Sequence, residues 1–173
     1  VGIVGYTNAG KSSLFNTLTK KWVLAEDKLF ATLGTSVWKV WIEEIWDETI
    51  NKHASWWKEI LLNDTIGFIR DLPPDLIAAF TSTLEDSIES DIILHVVDAS
   101  DPWIEEKIKI VDDTLNLIGA TQRKIYIFNK IDALSEDDQI KLKNTFSSLN
   151  PFLVSAYSNA WIDQLKGFLV KIN

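Results

Sequence analysis

Short runs of apolar, largely β-branched residues alternate along this chain with stretches in which apolar residues return every three or four positions, the signature of strands and helices in turn. The runs predict strands at Val1–Val4, Ser36–Ile42, Glu59–Asn63, Ile92–Val97, Lys124–Phe128 and Pro151–Val154. Between them the helical period predicts Lys11–Thr19 and Asp75–Glu89, the latter led in by Pro73-Pro74 and carrying Leu76, Phe80, Leu84 and Ile88 on one face. A third helix is predicted over Trp103–Ile118, opened by Asp101-Pro102 and closed by Gly119, and two more follow with Ser135 and Ser158 as N-caps. Glu43–Trp57 fits neither pattern, lacks the turn chemistry of a tight hairpin and reads as an extended loop, with a partly helical stretch as the alternative. Such alternation implies an α/β fold in three layers, with a mostly parallel sheet of about six strands and helices on both faces.

Composition narrows what such a fold can do. At 173 residues and 46% hydrophobic content the chain has material for one core and one domain. It holds no cysteine, which excludes disulfides and thiolate metal sites and is compatible with a reducing compartment, the cytoplasm being the expected one. A net charge of -8 argues against this segment alone wrapping nucleic acid, which needs uncompensated Lys and Arg. No apolar run approaches the length of a membrane-spanning helix, and a soluble monomer is expected. The start without Met, inside a strand, suggests a piece excised from a longer protein. Eight Trp and no Met depart from ordinary usage, with Trp38, Trp41, Trp46, Trp56 and Trp57 crowded together, and nothing in the sequence explains this.

The chemistry is concentrated where strands end. Gly5-Tyr6-Thr7-Asn8-Ala9-Gly10-Lys11-Ser12 matches GxxxxGK[ST] between an apolar strand and a helix, where a phosphate-binding loop must sit. A match of this kind arises by chance in about 1% of chains this long, before the strand–helix context is counted. Glycines let backbone N–H groups of Asn8, Ala9, Gly10, Lys11, Ser12 and Ser13 curl around phosphate oxygens, and the helix N-terminus adds its positive dipole. Lys11 would reach the β and γ phosphates, and the Ser12 hydroxyl would ligate Mg²⁺. Asp64-Thr65-Ile66-Gly67 follows another strand, so Asp64 would hold Mg²⁺ through water and the Gly67 N–H would sense the γ phosphate. Alone, DxxG is a weak signal, because turns after strands often contain Asp and Gly.

Asn129-Lys130-Ile131-Asp132 ends a strongly β run and discriminates between bases. The Asp132 carboxylate can accept from guanine N1–H and N2–H₂ together, whereas adenine offers a bare acceptor that would repel it. Asn129 can tie the base edge to the phosphate loop, the Lys130 stem can cover the base face, and Ser155-Ala156 can offer a backbone N–H to the base oxygen. Each stretch alone could be a capped turn; their order along the chain, each after a strand, points to one guanosine-phosphate site binding GTP or GDP with Mg²⁺. The switch Thr over the metal must lie in Phe30-Ala31-Thr32-Leu33-Gly34-Thr35, with Thr32 preferred to Thr35.

Phe68 stands after Gly67, where many small GTPases place a water-orienting Gln, so intrinsic hydrolysis should be slow. Asn8 could coordinate K⁺ beside the phosphates and so share catalysis with Lys11, Thr32 and Gly67, its bland alternative being a brace for the loop backbone. A nucleotide-holding module without meaningful hydrolysis, and an ATPase of the same fold, are the competing readings. His95, inside an apolar strand, reads as a satisfied core imidazole, and His53 as a loop residue.

With these residues in hand the chain resembles the HflX family among the translation-factor-related GTPases. The resemblance runs through the phosphate loop with Leu14-Phe15-Asn16, Asp27-Lys28-Leu29-Phe30-Ala31-Thr32-Leu33, Asp64 to Pro73 and Leu94-His95-Val96-Val97-Asp98-Ala99-Ser100. It departs at Gly34, at the Trp-rich positions and at the long stretch before the third strand. The resemblance implies a ribosome-associated GTPase acting on the large subunit, linked to rescue or splitting of stalled ribosomes, with an N-terminal domain that does not precede Val1.

Overall fold

The computed structural model describes residues 1–19, 36–43, 57–64 and 90–172. Among these, β1 (Gly2–Gly5), β2 (Ser36–Glu43), β3 (Trp57–Asp64), β4 (Ile92–Asp98), β5 (Arg123–Asn129) and β6 (Phe152–Leu153) form one sheet in the order β2-β3-β1-β4-β5-β6. All neighbouring pairs are parallel except β2 with β3. The helices are α1 (Lys11–Thr19), α2 (Ile104–Leu117), α3 (Glu136–Thr145) and α4 (Ile162–Lys171). The predicted helix Asp75–Glu89 lies outside the described residues.

Period-two alternation sorts the strand side chains onto two faces. Ile3, Leu94, Val96, Ile125 and Ile127 pack with Leu14 and Leu18 of α1 and Leu165 and Leu169 of α4. On the opposite face Val4 and Ile93 meet Val111 and Leu115 of α2, while Val97, Tyr126 and Phe128 form a further apolar cluster with Ile108 of α2, backed by Leu142 of α3 and Phe146. The central parallel strands β1, β4 and β5 are therefore covered on both sides.

His95 falls on the α2 face and is 1% exposed. Asp112 of α2 accepts from Lys124 Nζ at 2.9 Å and Tyr126 Oη at 2.8 Å, and His95 Nδ1 stands 3.4 Å from the same carboxylate. Burial opposes charge on Asp112, but the proximity of His95 and the donors of Lys124 and Tyr126 outweigh it and hold its carboxyl at about 2. Burial also lowers the His95 pKa, only partly offset by Asp112, which favours the neutral form of the imidazole. The expected satisfied imidazole needs correction: His95 Nδ1 makes no well-formed hydrogen bond, its contact to Asp112 being long.

Several local expectations meet their physical reasons here. Gly119, at φ +77, ends α2 with its N–H on Asn116 O and that of Ala120 on Leu115 O, the Schellman arrangement. Ser135 caps α3, accepting from the Asp138 N–H at 3.2 Å. β2 and β3 pair antiparallel along their whole length, from Ser36↔Asp64 to Glu43↔Trp57, so only the two ends of the stretch expected as a loop are strand, and residues 44–56 lie outside the described residues. Those strands gain more from ladder hydrogen bonds than local turn chemistry signals. The last strand is shorter than predicted.

Ser158 does not cap α4: its N–H donates to Ser155 Oγ, and the helix begins at Ile162 after Trp161, which has no side-chain cap. Trp161 sits at φ +61 and is 55% exposed, a left-handed conformation that side chains pay for and little packing repays. Trp161→Gly is expected to stabilise the chain by about 0.5–1 kcal/mol, after the greater chain entropy of glycine is deducted. Urea melts of the two proteins check this, and a midpoint that falls in the variant contradicts it.

Candidate functional site

The parallel strands β1, β3, β4, β5 and β6 all end on one rim, and β1 has β3 on one side and β4 on the other, so the chain leaves it at a topological switch point. The loop from Gly5 to Gly10 occupies that crevice and feeds directly into α1. Gly5 is packed so closely on β4 that a Cβ would lie 2.2 Å from Val96 O, and Gly10, at φ +90, would place one 2.3 Å from Asn129 Nδ2. Gly5 is required by the close approach of β4 backbone, Gly10 by its positive φ and by the buried amide of Asn129 against it. Asn8 is exposed at the loop tip at φ +62, in a region Asn tolerates better than most residues. Lys11 is buried, its Nζ donating to Gly5 O at 3.2 Å and Tyr6 O at 3.1 Å, across the loop it follows. Ser12 and Ser13 are exposed on the first turn of α1.

Asn129 is the junction of the rim. It is 2% exposed; its Nδ2 donates to Ala9 O of the loop at 3.1 Å and its Oδ1 accepts from the Ala156 N–H at 2.9 Å. One side chain thus joins its own strand end to stretches 120 and 27 residues away in the chain. Lys130 follows at φ +66 and its Nζ meets Asp98 Oδ2 at 2.7 Å. Asp132 lies exposed in a short 3₁₀ turn (Ile131–Ala133), where its Oδ1 accepts from the Ser155 hydroxyl. Ser155 is fully buried, and its own N–H donates to Ala160 O at 3.1 Å. A base oxygen would therefore share the Ala156 hydrogen with Asn129 rather than find a free donor. Asp64 closes β3 beside β1, with Ile3 as its register partner. Thr32, Thr35 and Gly67 lie outside the described residues.

Three contributors were missed by sequence reasoning. Thr17 Oγ1 donates to Ser13 O at 2.9 Å and to Ala156 O at 3.1 Å, tying α1 to the turn after β6. Gln139 Nε2 donates to Ile131 O at 3.0 Å and braces the turn that carries Asp132. Asp98 holds the Lys130 ammonium. Only Asp98 had a signal, its place at a strand's C-terminal end; the others are ordinary helix residues until the helices dock.

Residues 1–130 match the family model described as 50S ribosome-binding GTPase. Among curated proteins, the chain is 45% identical over 171 residues to GTPase HflX of Lacrimispora saccharolytica, covering 98% of this chain and 37% of that protein. It is 38% identical over 166 residues to GTPase HflX of Escherichia coli, covering 95% and 36%. The chain thus spans little more than a third of these relatives. Among solved structures, a GTP-binding protein from Sulfolobus solfataricus in complex with GDP superposes with a TM-score of 0.68 at 28% identity, covering 98% of this chain and 50% of that one.

Proposed function

We propose that this chain, which belongs to the 50S ribosome-binding GTPase family, is a guanine-nucleotide switch that binds GTP and GDP and hydrolyses GTP slowly. The single observation that carries the site is Asn129, whose amide engages Ala9 and Ala156 at once and so supports convergence of the phosphate loop and the base-reading stretches on one rim. Lys11 would turn from the loop carbonyls to the β and γ phosphates, with the N–H groups of Asn8 to Ser13 around them. Asp132 would read guanine, its carboxylate oriented by the Ser155 hydroxyl but keeping lone pairs for two base donors. Asn129, Lys130, Ser155 and Ala156 would frame the base, and the Gly67 N–H would contact the γ phosphate.

The residues present fit Mg²⁺. Ser12 lies in the first turn of α1 and Asp64 ends the neighbouring strand β3, supplying hydroxyl and carboxylate oxygens, the hard donors this ion takes; Thr32 is the third candidate. When bound, the ion neutralises charge on the β and γ phosphate oxygens. Asn8, exposed at the loop tip, is the residue proposed to recruit K⁺. The match to the family described as 50S ribosome-binding GTPase supports the large ribosomal subunit as partner, and the cytoplasm is the location proposed.

Single-turnover phosphate release, with and without ribosomes and in potassium against sodium, tests the whole. Slow release from the chain alone, faster in potassium and faster again with ribosomes, is the expected result. No release under any condition sinks the enzyme and leaves a nucleotide-holding module; equal rates in the two salts remove the role of Asn8.

A further inference from the structure

Resting on the guanine-nucleotide reading above, we infer that Asp98 is a positioning residue for Lys130 and, through it, sets how long the chain retains a guanine nucleotide. Asp98 ends β4 directly across from Asn129, the last residue of β5. Both of its oxygens are committed. Oδ2 receives Lys130 Nζ at 2.7 Å, while Oδ1 receives the Ser100 N–H at 3.0 Å and the Ser100 hydroxyl at 2.7 Å. The Ala99 N–H closes the same corner on Asn129 O at 2.8 Å. A carboxylate gripped on both sides cannot swing to follow a mobile lysine, so it defines where the ammonium must be.

The lysine is equally constrained at its other end. Lys130 is in the left-handed region at φ +66, and its Cε comes within 3.8 Å of the position a Cβ on Gly10 would take. Its methylene stem therefore runs beside the phosphate loop between two fixed ends, with the charge on Asp98. A free lysine has much rotamer freedom to lose, and its ammonium would be drawn to the phosphates, taking the stem with it. Anchored by Asp98, the chain instead presents its methylenes as a preformed apolar wall against a base plane, so the ordering cost is met before the nucleotide arrives. The pair is partly exposed, Lys130 at 38% and Asp98 at 18% of side-chain area, so its effect is on nucleotide retention more than on folding.

Dissociation of a fluorescent GDP from this chain in magnesium buffer, for wild type, Asp98→Asn, Asp98→Glu, Lys130→Met and the Asp98→Asn/Lys130→Met double variant, tests the proposal. Asp98→Asn is expected to release GDP on the order of tenfold faster. Asp98→Glu should recover part of the loss, and the double variant should be no faster than Lys130→Met alone. Because a stem touches the ring face and not its edge, inosine diphosphate should be affected by the same factor as GDP. An Asp98→Asn rate equal to wild type, or additive effects in the double variant, overturns the positioning role. If Asp98→Asn does not fold, Ser100→Ala loosens the carboxylate alone, and the same series in that variant decides, with unchanged release again overturning the role. A wild-type chain that binds no GDP fails differently: it removes the nucleotide reading itself, before any variant is compared.

Discussion

Asp132→Asn is expected to lower GDP affinity by roughly 10³- to 10⁴-fold while raising affinity for xanthosine diphosphate above that for GDP. The carboxylate can accept from guanine N1–H and N2–H₂; an amide replaces one acceptor with a donor that points at the N2 donor and leaves both unpaired. Xanthine carries an oxygen at that position and suits the amide. The substitution is clean because Asp132 is exposed in its turn and Gln139, not Asp132, braces that turn through Ile131 O. Ser155 can still donate to the amide oxygen, so the geometry persists. Titration of wild type and Asp132→Asn with the two nucleotides checks it, and a GDP affinity within about threefold of wild type, some 0.7 kcal/mol, would show that Asp132 does not read the base.

Gly5→Ala should cost about 3–5 kcal/mol of folding stability, a large part of what a domain of this size has. The added methyl would lie 2.2 Å from Val96 O, and that oxygen belongs to backbone in a central strand pair whose register sets Gly5 opposite Val96. No side chain can rotate away; β1 and β4 would have to separate. Gly10→Ala offers the contrast, since its methyl meets the Asn129 side-chain amide at 2.3 Å, and the amide can yield only by leaving Ala9 or Ala156. The first variant should show a sharply lower urea midpoint and the second a smaller drop with weakened GDP binding. Equal midpoints for Gly5→Ala and wild type would mean the close approach of loop and β4 is not as described.

The residues that would do the chemistry were legible in the sequence because each has a type and spacing that nothing else explains well. A lysine after GxxxxG, an Asn and Asp three apart at a strand's end, and strands before each of them carry their meaning locally. The supports around them were not. Thr17 reaches Ala156 only when α1 and the turn after β6 meet on the same side of the sheet. Ser158, expected to cap the last helix, lies three residues before Trp161, the left-handed residue from which that helix starts, and its N–H donates to the Oγ of Ser155, the partner of Asp132.

Local pattern by itself determined that strands and helices alternate, which residues face inward, and which short stretches carry phosphate and base chemistry, since hydrophobic period and turn composition act between near neighbours. Tertiary structure alone decided that β2 runs antiparallel against β3, that His95 and Asp112 face each other, and that Asn129 spans the loop and the Ala156 turn. Those are contacts between residues far apart in the chain, and they exist only once burial of both sheet faces has brought the strand ends to a common rim.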